Sequence, residues 1–308
     1  MTGLIRLIEF IGAVVAVLVL GMVTSYIDRK VTARVQARIG PPWYQPAADI
    51  LKLLGKETLV PDESARMAFL LAPVAAFAGA AVAAYLLVSA IIHPDGGFVG
   101  DVVVLVYLLM IPAAAMIFGA GASGNPMAAV GAAREIKMML AYELPYLLVV
   151  ATVVYKARLA FRLDAIMSSQ VGGWFLWSLS GLLGLIVLIL SMQAKLGLVP
   201  FDQPEAEQEL MGGILTEYSG PPLALIKVTK MMLLAILPLF IIMLLMGGIR
   251  LEFWSLFWGL VKYLVLVTVA ILVRNTNPRL RIDHTLKFFW GPVTVMALAA
   301  LVLTFAGW

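Results

Sequence analysis

The chain has 308 residues, of which 62% are hydrophobic and 13% charged, with a formal net charge of +4 and a mean hydropathy of +1.00. A water-soluble protein of this length cannot hide that much apolar surface, whereas a bilayer requires it. The basic residues sit at the ends of apolar runs, which excludes a nucleic-acid patch. With no cysteine and only two histidines, both in loops, the chain is expected to carry no metal and no redox centre of its own.

In chain order the first apolar run covers 8–27, too long for a signal peptide and without a small-residue cleavage site. A basic loop follows with Arg29, Lys30, Arg34 and Arg38, of which positions 30, 34 and 38 share a helical face. It leads into "QARIGPPWYQPAADILKLLGKE" (36–57), amphipathic pieces alternating with turn formers, which reads as a surface that docks a soluble partner. Runs at 67–92 and 101–119 are separated by the turn "HPDGG" (93–97), and "GASGNP" (121–126) closes the second.

The fourth run, 138–155, holds Glu143 in "MMLAYELPYLLVV", with Pro145 two positions on and no partner nearby in sequence. A charge in mid-membrane costs roughly 2.5–3.5 kcal/mol on insertion scales, so such residues are usually functional or tightly paired. Glu135 lies eight residues earlier, about 12 Å along a helix axis and broadly on the same side. Two readings fit it: an interfacial pair with Arg134 or Lys137, or a water-bridged relay to Glu143. The fifth run is 178–196, preceded by Trp174 and Trp177, which read as interfacial anchors.

The densest acidic cluster is "LVPFDQPEAEQELMGGILTEYSG" (198–220), holding Asp202, Glu205, Glu207, Glu209 and Glu217 with no basic residue between Lys195 and Lys227. If the segment is helical after Pro204, Asp202, Glu205 and Glu209 stack on one face. Like charges so placed raise one another's proton affinity. Runs at 229–248, 254–273 and 287–307 complete the chain, with Trp254 and Trp258 entering the seventh and the turn "NTNP" (275–278) ending it. Lys262 lies inside the seventh run, where it either snorkels to one face or balances a buried carboxylate.

The expected fold is all-α: a single-domain polytopic membrane helix bundle of about eight transmembrane helices spanning residues 1–308. Loops 28–66, 120–137, 195–230 and 274–287 hold 16 Lys and Arg against 5 in the alternate loops. The positive-inside rule places the first set in the cytoplasm and both termini outside, with the cytoplasmic membrane as the location. A freestanding transporter would show inverted repeats with broken helices in matching halves, and the sequence has neither. A passive anchor would have no reason to bury carboxylates.

The segment 200–220 resembles the acidic loop of the NuoH-like family of respiratory complex I, matching each fixed position of P-F-D-x-P-E-A-E-x-E-L-x-x-G-x-x-T-E-Y-S-G. "RVQARIGP…QPAADILKLLGKE" is similar to that family's first cytoplasmic loop, and "AAREIKMMLAYELP" to the start of its fourth helix. The resemblance implies a membrane subunit joining an electron-transfer arm to an ion-pumping arm. By it, Asp202, Glu205, Glu207, Glu209 and Glu217 belong to a coupling loop. Glu143 and Glu135 belong to a buried path toward antiporter-like subunits, and Arg29, Lys30, Arg34 and Arg38 face the peripheral arm. Only Pro42, Trp43 and Tyr44 separate Pro41 from Gln45-Pro46, where quinone-reducing members are longer. In this the chain looks more like the membrane-bound energy-converting [NiFe] hydrogenases and related ferredoxin-dependent complexes. The implied partners are hydrogenase-like large and small subunits and an iron–sulfur subunit, which would hold the clusters and any [NiFe] centre. A quinone-binding subunit, or its counterpart in a sulfur-reducing relative, is the alternative.

Overall fold

A computed structural model describes residues 2–94 and 96–307, and every regular element in it is helical. The turn expected at 93–97 includes Asp95, which lies outside the described residues. Helix α1 (Thr2–Val35) has 34 residues, about 51 Å at 1.5 Å per residue, so it overshoots a ~30 Å hydrocarbon core. The short amphipathic α2 (Gln45–Leu54) buries Pro46 and Ile50. Helices α3 (Arg66–Ile92), α4 (Asp101–Leu108) and α5 (Ile111–Gly121) follow. The last two form one apolar span broken at Leu109–Met110, beside Pro112, whose ring cannot continue the helix ladder.

Helix α6 (Pro126–Lys156) begins at an Asn125 cap, whose side chain accepts from the Met127 amide, and carries Pro145 in its interior. It starts twelve residues before the apolar run read from sequence, because Ala128, Ala129, Ala132 and Ala133 are strong helix formers that carry the helix from the Asn125 cap to the charged stretch at Arg134–Lys137. Helix α7 (Leu163–Ser169) is short, and α8 (Leu179–Lys195) has 17 residues, about 25 Å. After the acidic segment, with its short α9 (Glu207–Leu210), come α10 (Gly220–Leu245) and α11 (Phe253–Thr276). The chain ends in α12 (Ile282–Phe288), a π turn at Phe289–Val293 and α13 (Thr294–Phe305). Pro292 lies in that π turn, where a missing amide accompanies the wider turn.

Seven stretches among the described residues are long and apolar enough to cross a membrane, and α8 is an eighth, shorter one. The molecule is a polytopic helix bundle, as the apolar runs predict. Helix α10 is its axis, packed against α1, α2, α3, α7, α8 and α11, with 83% of its most apolar window buried. Gly21 of α1 lies against it so closely that a Cβ would sit 2.2 Å from the Met231 carbonyl oxygen.

The four basic loops gather at one end of this bundle. Arg29 meets Asp49 at 2.7 Å and Arg274 meets Asp28 at 2.6 Å. The Leu59 amide donates to Ser219 Oγ, and the Ala65 amide to the Ala122 carbonyl. Glu9 and His93, Tyr155 and Phe305, and Lys156 and Ser178 meet at the opposite end. Trp177, Trp254 and Trp258 are exposed there, as interfacial anchors are.

Candidate functional site

The acidic segment folds into three tight turns, not one helix. A 3₁₀ turn at Gln203–Glu205, α9 and a second 3₁₀ turn at Gly213–Leu215 follow one another, and α9 gives way to the last through Met211, Gly212 and Gly213, all at positive φ. Gly213 is obligatory, since a Cβ at φ +54° would lie 1.8 Å from the Pro204 carbonyl oxygen. Gly131 of α6 receives the same turn, with the Ile214 amide nitrogen 2.8 Å from where its Cβ would be. The segment is therefore docked on the bundle, with Phe201, Leu210, Ile214 and Tyr218 buried under it.

This folding corrects the expectation that Asp202, Glu205 and Glu209 stack on one face. Each carboxylate instead turns to a different element. Arg279 donates through Nε and Nη2 to the two oxygens of Asp202, at 2.7 and 2.5 Å. Lys230 of α10 donates to Glu205 Oε1. Arg134 of α6 donates to Glu209 Oε2 at 2.6 Å, and Asn125 Nδ2 to Glu217 Oε1 at 2.5 Å. The Arg134 hydrogen bond holds the Glu209 carboxyl below its usual range, and the bidentate contact with Asp202 raises Arg279 further. For Glu209, pairing with a cation, not repulsion among the carboxylates, sets the direction of the shift. Glu207 is exposed and faces an open cleft of about 560 Å³ that Asp202, Glu205, Lys227, Lys230 and Arg274 also line.

Glu205 and Lys230 also line a second cavity, of about 50 Å³, with Glu135 and Lys195 on its other walls. That volume holds a few waters, given roughly 10–15 Å³ of probe space for each. Glu135 is thus half-buried and lines the same cavity as Glu205 of the acidic segment.

Beyond the cavity, Lys195 Nζ donates to Glu143 Oε2 at 2.7 Å. The side chains are 3% and 10% exposed. Glu143 therefore has the partner that its neighbours in sequence did not supply, brought in by the packing of α8 on α6. The ammonium lies 4.9 Å from the Tyr142 ring centroid and 4.4 Å from that of Tyr146, an aromatic cage for a cation. Ionisable side chains thus form one line: Asp202 with Arg279, Glu205 with Lys230, Glu135 across the small cavity, then Lys195 with Glu143.

Lys262 is not brought into this line. It donates to the Met246 carbonyl at 2.6 Å and lies 4.0 Å over the Trp174 ring, at the other end of α10. There it caps a helix C-terminus; the snorkelling reading describes it, and no carboxylate is balanced. In the first loop, Ala37 at φ +57° breaks the helix after Val35, so Arg38 leaves the face shared by Lys30 and Arg34. Arg29 is taken up by Asp49. Burial pushes that carboxyl up, but hydrogen bonds from Arg29 and Gln45 outweigh it and hold it below its ordinary value. Arg34 and Arg38 remain exposed beside the exposed Ile39, Trp43 and Tyr44.

Fold and site together define a multi-pass membrane protein with buried ionisable groups strung from its charged end to the middle of the bundle. The family model described as NADH dehydrogenase matches residues 8–305. The NADH-quinone oxidoreductase H subunit of Geobacillus thermodenitrificans (strain NG80-2) is 32% identical over 96% of this chain and 92% of its own length. Its counterpart in Bacillus thuringiensis (strain Al Hakam) is 33% identical over the same shares. A chain in the structure of the membrane-bound sulfane sulfur reductase, an archaeal respiratory membrane complex, superposes with a TM-score of 0.86 at 28% identity, covering 97% of this chain and 99% of that one. The chain belongs to the NADH dehydrogenase family, as a membrane subunit of the NuoH type found in complex I.

Proposed function

We propose that this chain is the coupling subunit of a ferredoxin-dependent energy-converting complex related to complex I, of the membrane-bound hydrogenase type or its sulfur-reducing relative. Electrons run through iron–sulfur clusters, and in the hydrogenase branch a [NiFe] centre, held by peripheral partner chains; a sequence without cysteine cannot hold thiolate-ligated clusters itself. The partners are hydrogenase-like large and small subunits, an iron–sulfur subunit and antiporter-like membrane subunits. Arg34, Arg38 and the acidic segment form the face toward the peripheral arm. A change of charge there perturbs Asp202, Glu205, Glu207 and Glu209, and the protonation change passes through Glu135 to Glu143, driving proton or sodium export. The observation that carries this reading is the unbroken line of ionisable side chains from the acidic segment to Glu143.

Glu143→Gln tests it. In the purified complex in proteoliposomes, electron transfer should continue at a reduced rate while the ion gradient collapses. Full pumping by this variant removes Glu143 from the path. The names of the NADH-quinone oxidoreductase relatives favour a second reading, in which a quinone is the acceptor. Sensitivity of turnover to quinone-site inhibitors, together with the identity of the copurifying large subunit, separates the two.

A further inference from the structure

We propose that Lys195 is itself a proton carrier, the obligatory step between the small cavity and Glu143. This rests on the coupling role above and adds a residue to it. Lys195 is the one side chain that both lines the cavity holding Glu135, Glu205 and Lys230 and bonds Glu143 among the described residues. A proton leaving the cavity for Glu143 meets this amine first. Glu143 Oε1, the oxygen turned away from the lysine, makes no hydrogen bond within the described chain and so remains open for onward transfer.

The ion pair can become a neutral pair with no change in its net charge. The Lys195 ammonium gives a proton to Glu143 Oε2: one N–H bond breaks, one O–H bond forms, and a neutral amine faces a carboxylic acid. The amine's lone pair then takes a proton from protonated Glu135 through water in the cavity, which restores the ammonium and leaves Glu135 a carboxylate. Rotation of the Glu143 carboxylic acid about its terminal bond carries the O–H to the side away from the lysine, and loss of that proton onward, with the carboxylate turning back, returns the pair to its starting state. A buried lysine suits such exchange because its ammonium already holds an N–H at hydrogen-bond distance from an acceptor carboxylate. The groups facing it are Glu143, Tyr142 and Tyr146 from α6, and Glu135, Glu205 and Lys230 across the cavity. The two tyrosine rings stabilise the charged form, so the amine state is transient.

Arginine keeps the positive charge and the pairing but cannot deprotonate in a protein. In proteoliposomes, Lys195→Arg should lower the rate of ion translocation at a given electron flow by about 100-fold or more, the scale of a lost proton-transfer group. A wild-type rate in Lys195→Arg would show that only the charge matters and would overturn the proposal. If Lys195→Arg fails to assemble, Lys195→His decides, because imidazole exchanges protons near neutral pH. Its translocation should persist with an optimum displaced to lower pH; an undisplaced profile, or no translocation at any pH, overturns the proposal. Uncoupling by Glu143→Gln alongside full pumping by Lys195→Arg removes only the lysine step, whereas full pumping by Glu143→Gln removes the coupling role itself.

Discussion

At the residue scale the Glu143–Lys195 pair concentrates the energetic risk. Two charges held out of water are tolerated because each neutralises the other, and removing one partner strands the second at a cost of about 3–5 kcal/mol. Lys195→Met should therefore lower the thermal unfolding temperature of the solubilised complex, while Lys195→Met combined with Glu143→Leu should recover most of the loss and still move no ions. A single variant as stable as the wild type would mean that the pair is not buried in the assembled complex. Glu143 was legible in the sequence because an acid amid apolar residues has no cheap explanation. Lys195 obeyed the same rule, in "LILSMQAKLGLVPF", yet its place at the end of an apolar run let it pass for an anchoring loop residue. The difference is geometric. Position 195 closes α8, but the packing of α8 on α6 buries its side chain against Glu143.

At the scale of elements, the acidic segment shows where periodicity stops informing. Its composition announces a cluster of carboxylates, and helical spacing suggests that they align. Gly212 and Gly213 break that regularity, and the basic partners arrive from positions as distant as 134 and 279, which no local pattern contains. The partner-specific arrangement depends on the Gly213 turn. Gly213→Ala would need both a strained φ and a displaced Pro204 carbonyl, so the expectation is loss of the segment's docking. Limited proteolysis between residues 205 and 215 should accelerate in that variant, and protease resistance equal to the wild type would contradict the tight turn. The spans themselves were well read: all eight apolar runs fall in helices, although α1, α6 and α10 extend well beyond the limits of the first, fourth and sixth runs, since helix formers outside the apolar stretch continue the backbone ladder.

For the whole molecule, the asymmetry of 16 basic residues against 5 corresponds to two physical ends, one charged and cross-linked by ion pairs, one belted with tryptophan. The absence of native cysteine allows a clean test of orientation. Trp43→Cys should react with a membrane-impermeant maleimide only when the cytoplasmic face is accessible, and Leu251→Cys only from the other side; both positions are exposed. Equal labelling from both faces would contradict the topology. This level was the most readable in the sequence, since loop charge and span length are properties of composition. What the sequence withheld was the wiring among helices, which depends on which faces meet.

Helix α10 bears Lys230 near its middle, where Gly21 of α1 lies against the neighbouring Met231 carbonyl, while Lys262 and Gln170 grip its last carbonyls. A rod held at its waist and at one end has little axial play. Whatever disturbance begins at the acidic turns must travel as a rearrangement of hydrogens and fields around this spindle, since the spindle itself is fastened too firmly to serve as a piston.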